Sequence, residues 1–413
     1  MKIIKHLVLS GGGPIGLVEY GALKYLTANN IINLTNIQSI YTTSIGSIIA
    51  FIYILNFDWT WIDDFFIKRP WEKLINFSYG TYLNIFYDKG IVNKKIIINA
   101  LKPLFLAKEI PLTITLLEFY NLTSIEFNMY TCNLSSFKKE KLNYINTPNL
   151  ELIDALYMSS SVPVMFVPLY INNCYYLDGG IFINCPINEC IFEKKCCYDE
   201  ILCFTNDKRH PIDICNNFYK ENNYKHDSSN YQLNQDANFF EYLIYIIKTL
   251  FNKLSIIENE NLITIKNSIN MCLTEQLVDL KYWSYAFKTE TERNYLIKLG
   301  EKQGEQFVNM LMSLNEHKDE HKDEDEHIDE HKDEHKDEDK DKDEHIDEHI
   351  DEHIDEHIDE HIDEHKDEDE HKDEDEHKDE DEHKDEHKDE DEHKDEHVTY
   401  IVEANVVETN IDY

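Results

Sequence analysis

Ser44 lies in Thr42-Thr43-Ser44-Ile45-Gly46, between a run that favours extended structure and an apolar run of helix length. A serine at such a strand-to-helix turn can present its Oγ as a nucleophile, and the helix N-terminus favours the negative charge that develops. The usual elbow reads G-x-S-x-G; here Thr42 replaces the first glycine and Gly46 keeps the second. Serine is also a common helix N-cap, so the turn alone leaves both readings open. A nucleophilic serine needs a base. Asp178 ends a short apolar run and precedes Gly179 and Gly180, which let the backbone turn sharply and present the carboxylate. Three histidines stand outside the C-terminal repeat: His6 within a strand, and His210 and His226 in a polar stretch. None is well placed for a triad, so a Ser44–Asp178 pair fits better.

Ser10-Gly11-Gly12-Gly13-Pro14-Ile15-Gly16 follows the first strand and opens a helix. Gly11, Gly13 and Gly16 satisfy the G-x-G-x-x-G dinucleotide fingerprint, which also wants an acidic residue about twenty positions later. No Asp or Glu occurs between Glu19 and Asp58. An oxyanion hole is the stronger reading. Consecutive glycines let backbone N–H groups converge without Cβ interference at a helix N-terminus, and such donors stabilise the tetrahedral intermediate of acyl transfer.

Together these segments resemble the patatin-like phospholipase family. The likeness runs through Gly11 to Gly16, Thr43-Ser44-Ile45-Gly46-Ser47 and Asp178-Gly179-Gly180. Between them, Asp154-Ala155 and Ser159-Ser160-Ser161-Val162-Pro163 match its small-residue segment, and Asn184 with Pro186 its N-x-P sequel. The resemblance implies a lipid acyl hydrolase in which a lipid or phospholipid ester acylates Ser44 and Asp178 serves as base. Gly11, Gly12, Gly13 and Gly16 would form the oxyanion loop, with the donors around Gly12 and Gly13. Gly46, Gly179 and Gly180 would support elbow and dyad, and no metal or cofactor is required. Ile15 stands where the family usually has Arg or Lys, which bears on phospholipid preference. The alternative is a catalytically silent lipid-binding or scaffold protein of the same fold.

The elements that must carry these residues read as β-α-β-α. Strands are expected at Ile3–Leu9 and Ile37–Thr43, a helix from Leu17 to near Asn29, and a buried helix at Ile45–Asn56. That order implies an α/β fold with a mostly parallel central sheet flanked by helices, the three-layer sandwich of the patatin-like family. Trp59–Leu74 is aromatic and amphipathic, either core or an interfacial lid. Further helices are expected at Lys94–Leu101, stopped by Pro103, at Thr113–Tyr120, and from Thr147-Pro148 through Leu156. Strands follow at Ile125–Leu134, Val167–Tyr170, Cys174–Leu177 and, last, Glu200–Phe204. A polar loop covers 206–238, and helices are expected near Phe239–Ile256 and Glu290–Leu314.

Charge divides the chain. From Glu316 to His397 only Glu, Asp, His, Lys and Ile occur, with 47 acidic residues against 12 lysines. That stretch carries −35 of the total −41, leaving −6 elsewhere. Three parts are therefore expected: a hydrolase domain over 1–314, a disordered low-complexity tail over 315–397, and a short segment over 398–413. The tail can bind basic partners or divalent metals nonspecifically, and the acidic balance points away from nucleic acid. The nine cysteines lack C-x-x-C spacing and a histidine cluster, which suggests free thiols in a reducing compartment. The N-terminus does not read as a signal peptide. A cytoplasmic location with transient contact at membrane surfaces is expected.

Overall fold

The computed structural model describes residues 2–74, 87–206, 262–271 and 280–329, with isolated positions between 235 and 254. The strands are His6–Leu9 (β1), Ser39–Thr43 (β2), Gly90–Val92 (β3), Glu126–Asn133 (β4), Lys138–Leu142 (β5), Val164–Phe166 (β6), Leu169–Ile171 (β7), Cys174–Asp178 (β8), Ile201–Thr205 (β9) and Ser268–Asn270 (β10). An 8-stranded sheet runs in the order β10-β9-β1-β2-β4-β8-β7, with β5 also paired to β4. β10, β9, β1, β2 and β4 are parallel; β5, β7 and β8 join antiparallel, so the sheet is mixed. β1 and β2 are buried at every position, as a parallel strand covered on both faces requires. β3 and β6 form a separate two-stranded sheet that periodicity did not announce.

One detail of register decides the site. β4 pairs with β2 up to Tyr130↔Thr43 and with β8 from Thr131↔Asp178. β5 overlaps both partners along β4, from Met129 to Asn133, and so must occupy its other edge. β2 and β8 therefore meet head-on along a single edge of β4, carboxyl end to carboxyl end. Ser44 follows one of those ends and Asp178 closes the other.

The helices are Gly16–Ala28 (α1), Ile45–Ile54 (α2), Trp59–Ile67 (α3), Lys94–Ala107 (α4), Leu116–Thr123 (α5), Leu152–Ser159 (α6), Ile187–Lys194 (α7), Leu280–Lys288 (α8) and Glu290–Asp329 (α9). α1 and α9 lie close enough that only glycine fits at the crossing. A Cβ on Gly21 would run into the Ile297 carbonyl, and one on Gly300 into the carbonyl of Val18. Lys24 of α1 ties the layer together, with Nζ 2.7 Å from Asp63 of α3 and 2.8 Å from Glu301 of α9.

Several expected boundaries move. α4 continues through Pro103 to Ala107 rather than stopping before it. Proline cannot donate to the carbonyl four residues back, that of Asn99, and Arg69 Nη2 donates to it instead at 2.9 Å. The helix expected from Thr147-Pro148 begins at Leu152: the Leu150 and Pro148 carbonyls accept from the amides of Leu116 and Leu117 at 2.9 and 3.1 Å, which ties that stretch to the start of α5. Glu200–Phe204 is not the last strand; β10 follows it on the sheet edge. β5, of sequence Lys-Lys-Glu-Lys-Leu, lacks apolar alternation and was not foreseen. α9 passes Leu314 into the repeat, since extending a nucleated helix costs little per residue. The disorder expected for 330–397 and the segment 398–413 lie outside the described residues, as do almost all of the expected loop 206–238 and most of the helix Phe239–Ile256.

Candidate active site

The elbow forms as the sequence suggested, and its strain is visible. Ser44 has φ 56° and ψ −129°, a left-handed conformation that a non-glycine residue adopts only when its surroundings enforce it. Its side chain makes no capping bond to α2. Instead Oγ donates to Asp178 Oδ2 at 2.5 Å. Gly46 is required beside it, because a Cβ there would stand 2.7 Å from the carbonyl oxygens of both Leu9 and Ser10.

The serine run after α6 holds both residues. The Ser44 N–H donates to Ser159 Oγ at 3.1 Å, Ser160 Oγ donates to the Ser44 carbonyl at 3.1 Å, and the Asp178 N–H donates to the Ser161 carbonyl at 2.8 Å. Because Ser159 accepts from that amide, its hydroxyl is free to donate to Ser47 Oγ, 3.0 Å away. Ser47 can donate in turn to Thr42 Oγ1 at 2.9 Å, and Thr42 to the Asn128 carbonyl at 3.3 Å. Thr42 thus ends a buried hydroxyl chain that steadies the elbow. A glycine there would leave Ser47 without that acceptor.

Asp178 is buried, and its carboxylate accepts from Ser44 Oγ and, at Oδ1, from the Gly180 N–H at 2.7 Å. Burial pushes its pKa up to about 6, against the opposing pull of those two hydrogen bonds. A carboxylate poised near neutrality and bonded to a strained serine hydroxyl is suited to accept that hydroxyl's proton. His6 is no rival. It sits at the start of β1, with Nδ1 2.8 Å from Ser39 Oγ, while Ser44 follows the opposite end of β2. Burial, then the nearby Lys194, lower its pKa. His210 and His226 lie outside the described residues.

The glycine loop follows β1, which neighbours β2, so loop and elbow share the carboxyl edge of the parallel strands. Its four glycines divide into two roles. Gly11 N–H donates to the Asn184 carbonyl at 3.0 Å, and Gly16 N–H is bonded within the turn to Gly13. Both amides are engaged, so Gly11 and Gly16 belong to the loop without offering free donors. Gly12 and Gly13 remain at the open N-terminus of the first turn, where amides lack intrahelical partners. Gly16 instead admits Ile45 of α2, and Gly11 lies so near Ser44 that a Cβ would come within 2.9 Å of the Ser44 Cβ. Gly179 lies against the Tyr130 carbonyl of β4, and Gly180 supplies the amide that orients Asp178. Asn184 links both motifs: its Nδ2 donates to the Gly11 carbonyl at 3.3 Å, and its Oδ1 would stand 3.2 Å from a Cβ on Gly180.

A cavity of about 150 Å³ opens beside Ser44. Gly13, Pro14, Ser44 and Ser160 line it, and α2, α3, α4 and α8 supply walls that are almost wholly apolar. Phe65, Phe66 and Trp71 face it from the aromatic stretch, so those three are pocket wall rather than an outward lid; Trp61, stacked on Phe57, is the more exposed ring. Trp283 of α8 covers Gly13, where any Cβ would run into its indole. Sequence reasoning missed Trp283, which lies far along the chain with no motif around it.

Residues 7–191, which contain the loop, the elbow and Asp178, match the family described as patatin-like phospholipase. Over that segment the chain is similar to the patatin-like phospholipase family. It is 30% identical over 201 residues to the "Probable lipid hydrolase 463L" of Invertebrate iridescent virus 6, covering 46% of this chain and 64% of that one. It therefore spans less than two thirds of that viral relative. The "Uncharacterized protein R571" of Acanthamoeba polyphaga mimivirus is 27% identical over 306 residues, covering 72% of this chain and 95% of its own. The crystal structure of VipD from Legionella pneumophila aligns at 15% identity with a TM-score of 0.39, over 75% of this chain and 67% of VipD. No helix among the described residues is long and apolar enough to cross a membrane.

Proposed function

We propose that this chain hydrolyses carboxylic esters of lipids through Ser44 as nucleophile and Asp178 as general base. The observation that carries the reading is the 2.5 Å bond from Ser44 Oγ, held at a strained elbow, to a buried carboxylate beside an apolar cavity. Asp178 takes the hydroxyl proton as Oγ attacks the acyl carbonyl. The amides of Gly12 and Gly13 stabilise the oxyanion, a role in which one donor is worth about 100- to 1000-fold in rate. Asp178 then returns the proton to the departing alcohol. It next takes a proton from a water that attacks the acyl-enzyme, and returns it to Ser44 Oγ as the bond to the acyl group breaks and the fatty acid leaves. The apolar cavity receives the acyl chain, supplied by a lipid surface that the chain touches transiently.

The strained serine argues for a working enzyme over a silent scaffold, because a helix cap would relax to ordinary dihedrals. The test is release of fatty acid from mixed phospholipids, lysolipids and acylglycerols, followed by mass spectrometry. Wild type releases fatty acid and is labelled by a fluorophosphonate, whereas Ser44→Ala does neither. Hydrolysis that survives Ser44→Ala overturns the proposal.

A further inference from the structure

Arg293, in the first turns of α9, is buried, and all its hydrogen bonds run to main-chain carbonyls. Nε donates to Phe66 O at 2.7 Å; Nη2 donates to Ile67 O at 2.6 Å and Arg69 O at 3.3 Å. Nη1 donates to Phe287 O at 2.5 Å and Ala286 O at 3.5 Å. These are carbonyls at or just beyond the C-terminal ends of α3 and α8, where acceptors lack intrahelical partners and the helix dipole is negative. One guanidinium, using all five of its donors, therefore caps two helices at once. A lysine, with three donors at one point, cannot span both.

Arg69 extends the connection. Its carbonyl accepts from Arg293, while its own guanidinium donates to Asn99 O at 2.9 Å and Ala100 O at 2.5 Å of α4, where Pro103 leaves Asn99 without a helical donor. It also lies over the Phe65 and Trp71 rings, at 5.1 and 4.9 Å. The three helices so joined are walls of the cavity beside Ser44. Phe65 and Phe66 of α3, Ala100 of α4, and Ala286 and Phe287 of α8 all face it.

We propose that Arg293 is a positioning residue for the acyl chain: with Arg69, it sets the spacing of α3, α4 and α8 and thereby the preference for long over short acyl groups. The proposal deepens the hydrolase reading and rests on it for its kinetic readout. An acetyl group on Ser44 is too short to sense that spacing, whereas a dodecanoyl chain must lie between the helices.

The experiment compares p-nitrophenyl acetate with p-nitrophenyl dodecanoate on wild type, Arg293→Lys and Arg69→Lys. For Arg293→Lys the KM for dodecanoate rises about tenfold, the loss expected when one or two methylenes leave an apolar site. The kcat on both esters and the KM for acetate stay near wild type. Arg69→Lys, a milder change at a half-buried side chain, shifts the KM ratio in the same direction by less. Equal losses on both esters, or an unchanged ratio in Arg69→Lys, overturn the proposal. A binding arm keeps it separate from catalysis: a fluorescent long-chain fatty acid is titrated into Ser44→Ala and into Ser44→Ala/Arg293→Lys. If wild type hydrolyses neither ester, the hydrolase reading falls. Weaker binding to the double variant still supports the positioning role, and equal binding removes it.

Discussion

At the residue scale, the burial that suits Asp178 to its proposed role as base carries a cost in stability. Its pKa stands at about 6 because burial disfavours the charged form more than Ser44 and Gly180 favour it. The proposed base must be ionised, so the proposal predicts that kcat/KM for a soluble ester rises with pH through about 6 and then levels. The stability effect has the opposite sign. Between the ordinary carboxyl value of 3.8 and about 6 the unfolded chain has lost this proton while the folded chain keeps it, so stability falls as pH rises through that window. Asp178→Asn therefore abolishes hydrolysis yet melts higher at pH 8, by up to about 3 kcal/mol for the full shift, and the advantage vanishes near pH 4. Thermal melts of both proteins across pH check this; an Asn variant less stable than wild type at pH 8 refutes the account. Ser44, Asp178 and the glycine loop were legible in the sequence because a turn's chemistry demands particular neighbours. The bond that engages the Gly11 amide was not, since it depends on Asn184 lying against the loop across the fold. Arg293 and Trp283 carried no motif, because what they meet includes backbone far away in sequence, the end of α3 for Arg293 and Gly13 for Trp283.

At the element scale, β1, α1, β2 and α2 could be read from periodicity and glycine punctuation alone. The elements that escaped are those whose state is decided by a partner. β5 is a strand because the free edge of β4 takes it, and its lysines Lys139 and Lys141 pair with Glu189 and Glu193 of α7 at 2.6 Å each. α4 survives Pro103 because Arg69 serves the carbonyl that proline leaves open. The crossing of α1 and α9 gives a sharp test of partner-decided structure. At Gly300 an added methyl meets the Val18 backbone, which cannot step aside, whereas at Gly304 it meets the Tyr25 side chain at 3.2 Å. Alanine gains up to about 1 kcal/mol of helix propensity over glycine at either position. Overpacking against backbone costs about 1–3 kcal/mol or more. Gly300→Ala should lower the melting temperature and Gly304→Ala should leave it unchanged or raise it. Equal effects from the two variants would show that the helices are not held at this spacing.

At the scale of the whole molecule, charge is the dominant asymmetry. The stretch from Glu316 to His397 holds −35 while everything else holds −6, so a lipid surface bearing anionic headgroups meets a chain whose repulsion comes chiefly from its tail. An anionic leaflet attracts basic segments by about 1 kcal/mol per charge near the surface, and it repels acidic ones by the same physics. That repulsion is screened beyond about 8 Å at physiological ionic strength and further at higher salt. Deleting 330–397 keeps α9 whole and removes most of the repeat. The shortened chain should co-sediment more with phosphatidylserine-containing vesicles at low salt, and the gap should close as salt approaches about 1 M, where screening acts over about 3 Å. Vesicles of phosphatidylcholine alone should not distinguish the two forms. Acidification gives an independent control. Seventeen of the 20 histidines lie in that stretch, and protonating all of them brings its charge from −35 to −18. Since free imidazole titrates near pH 6.5, the difference between full and shortened chains should narrow between pH 7.5 and about 5.5. A gap that persists at high salt and low pH would mean that the tail acts on membrane contact through something other than its charge.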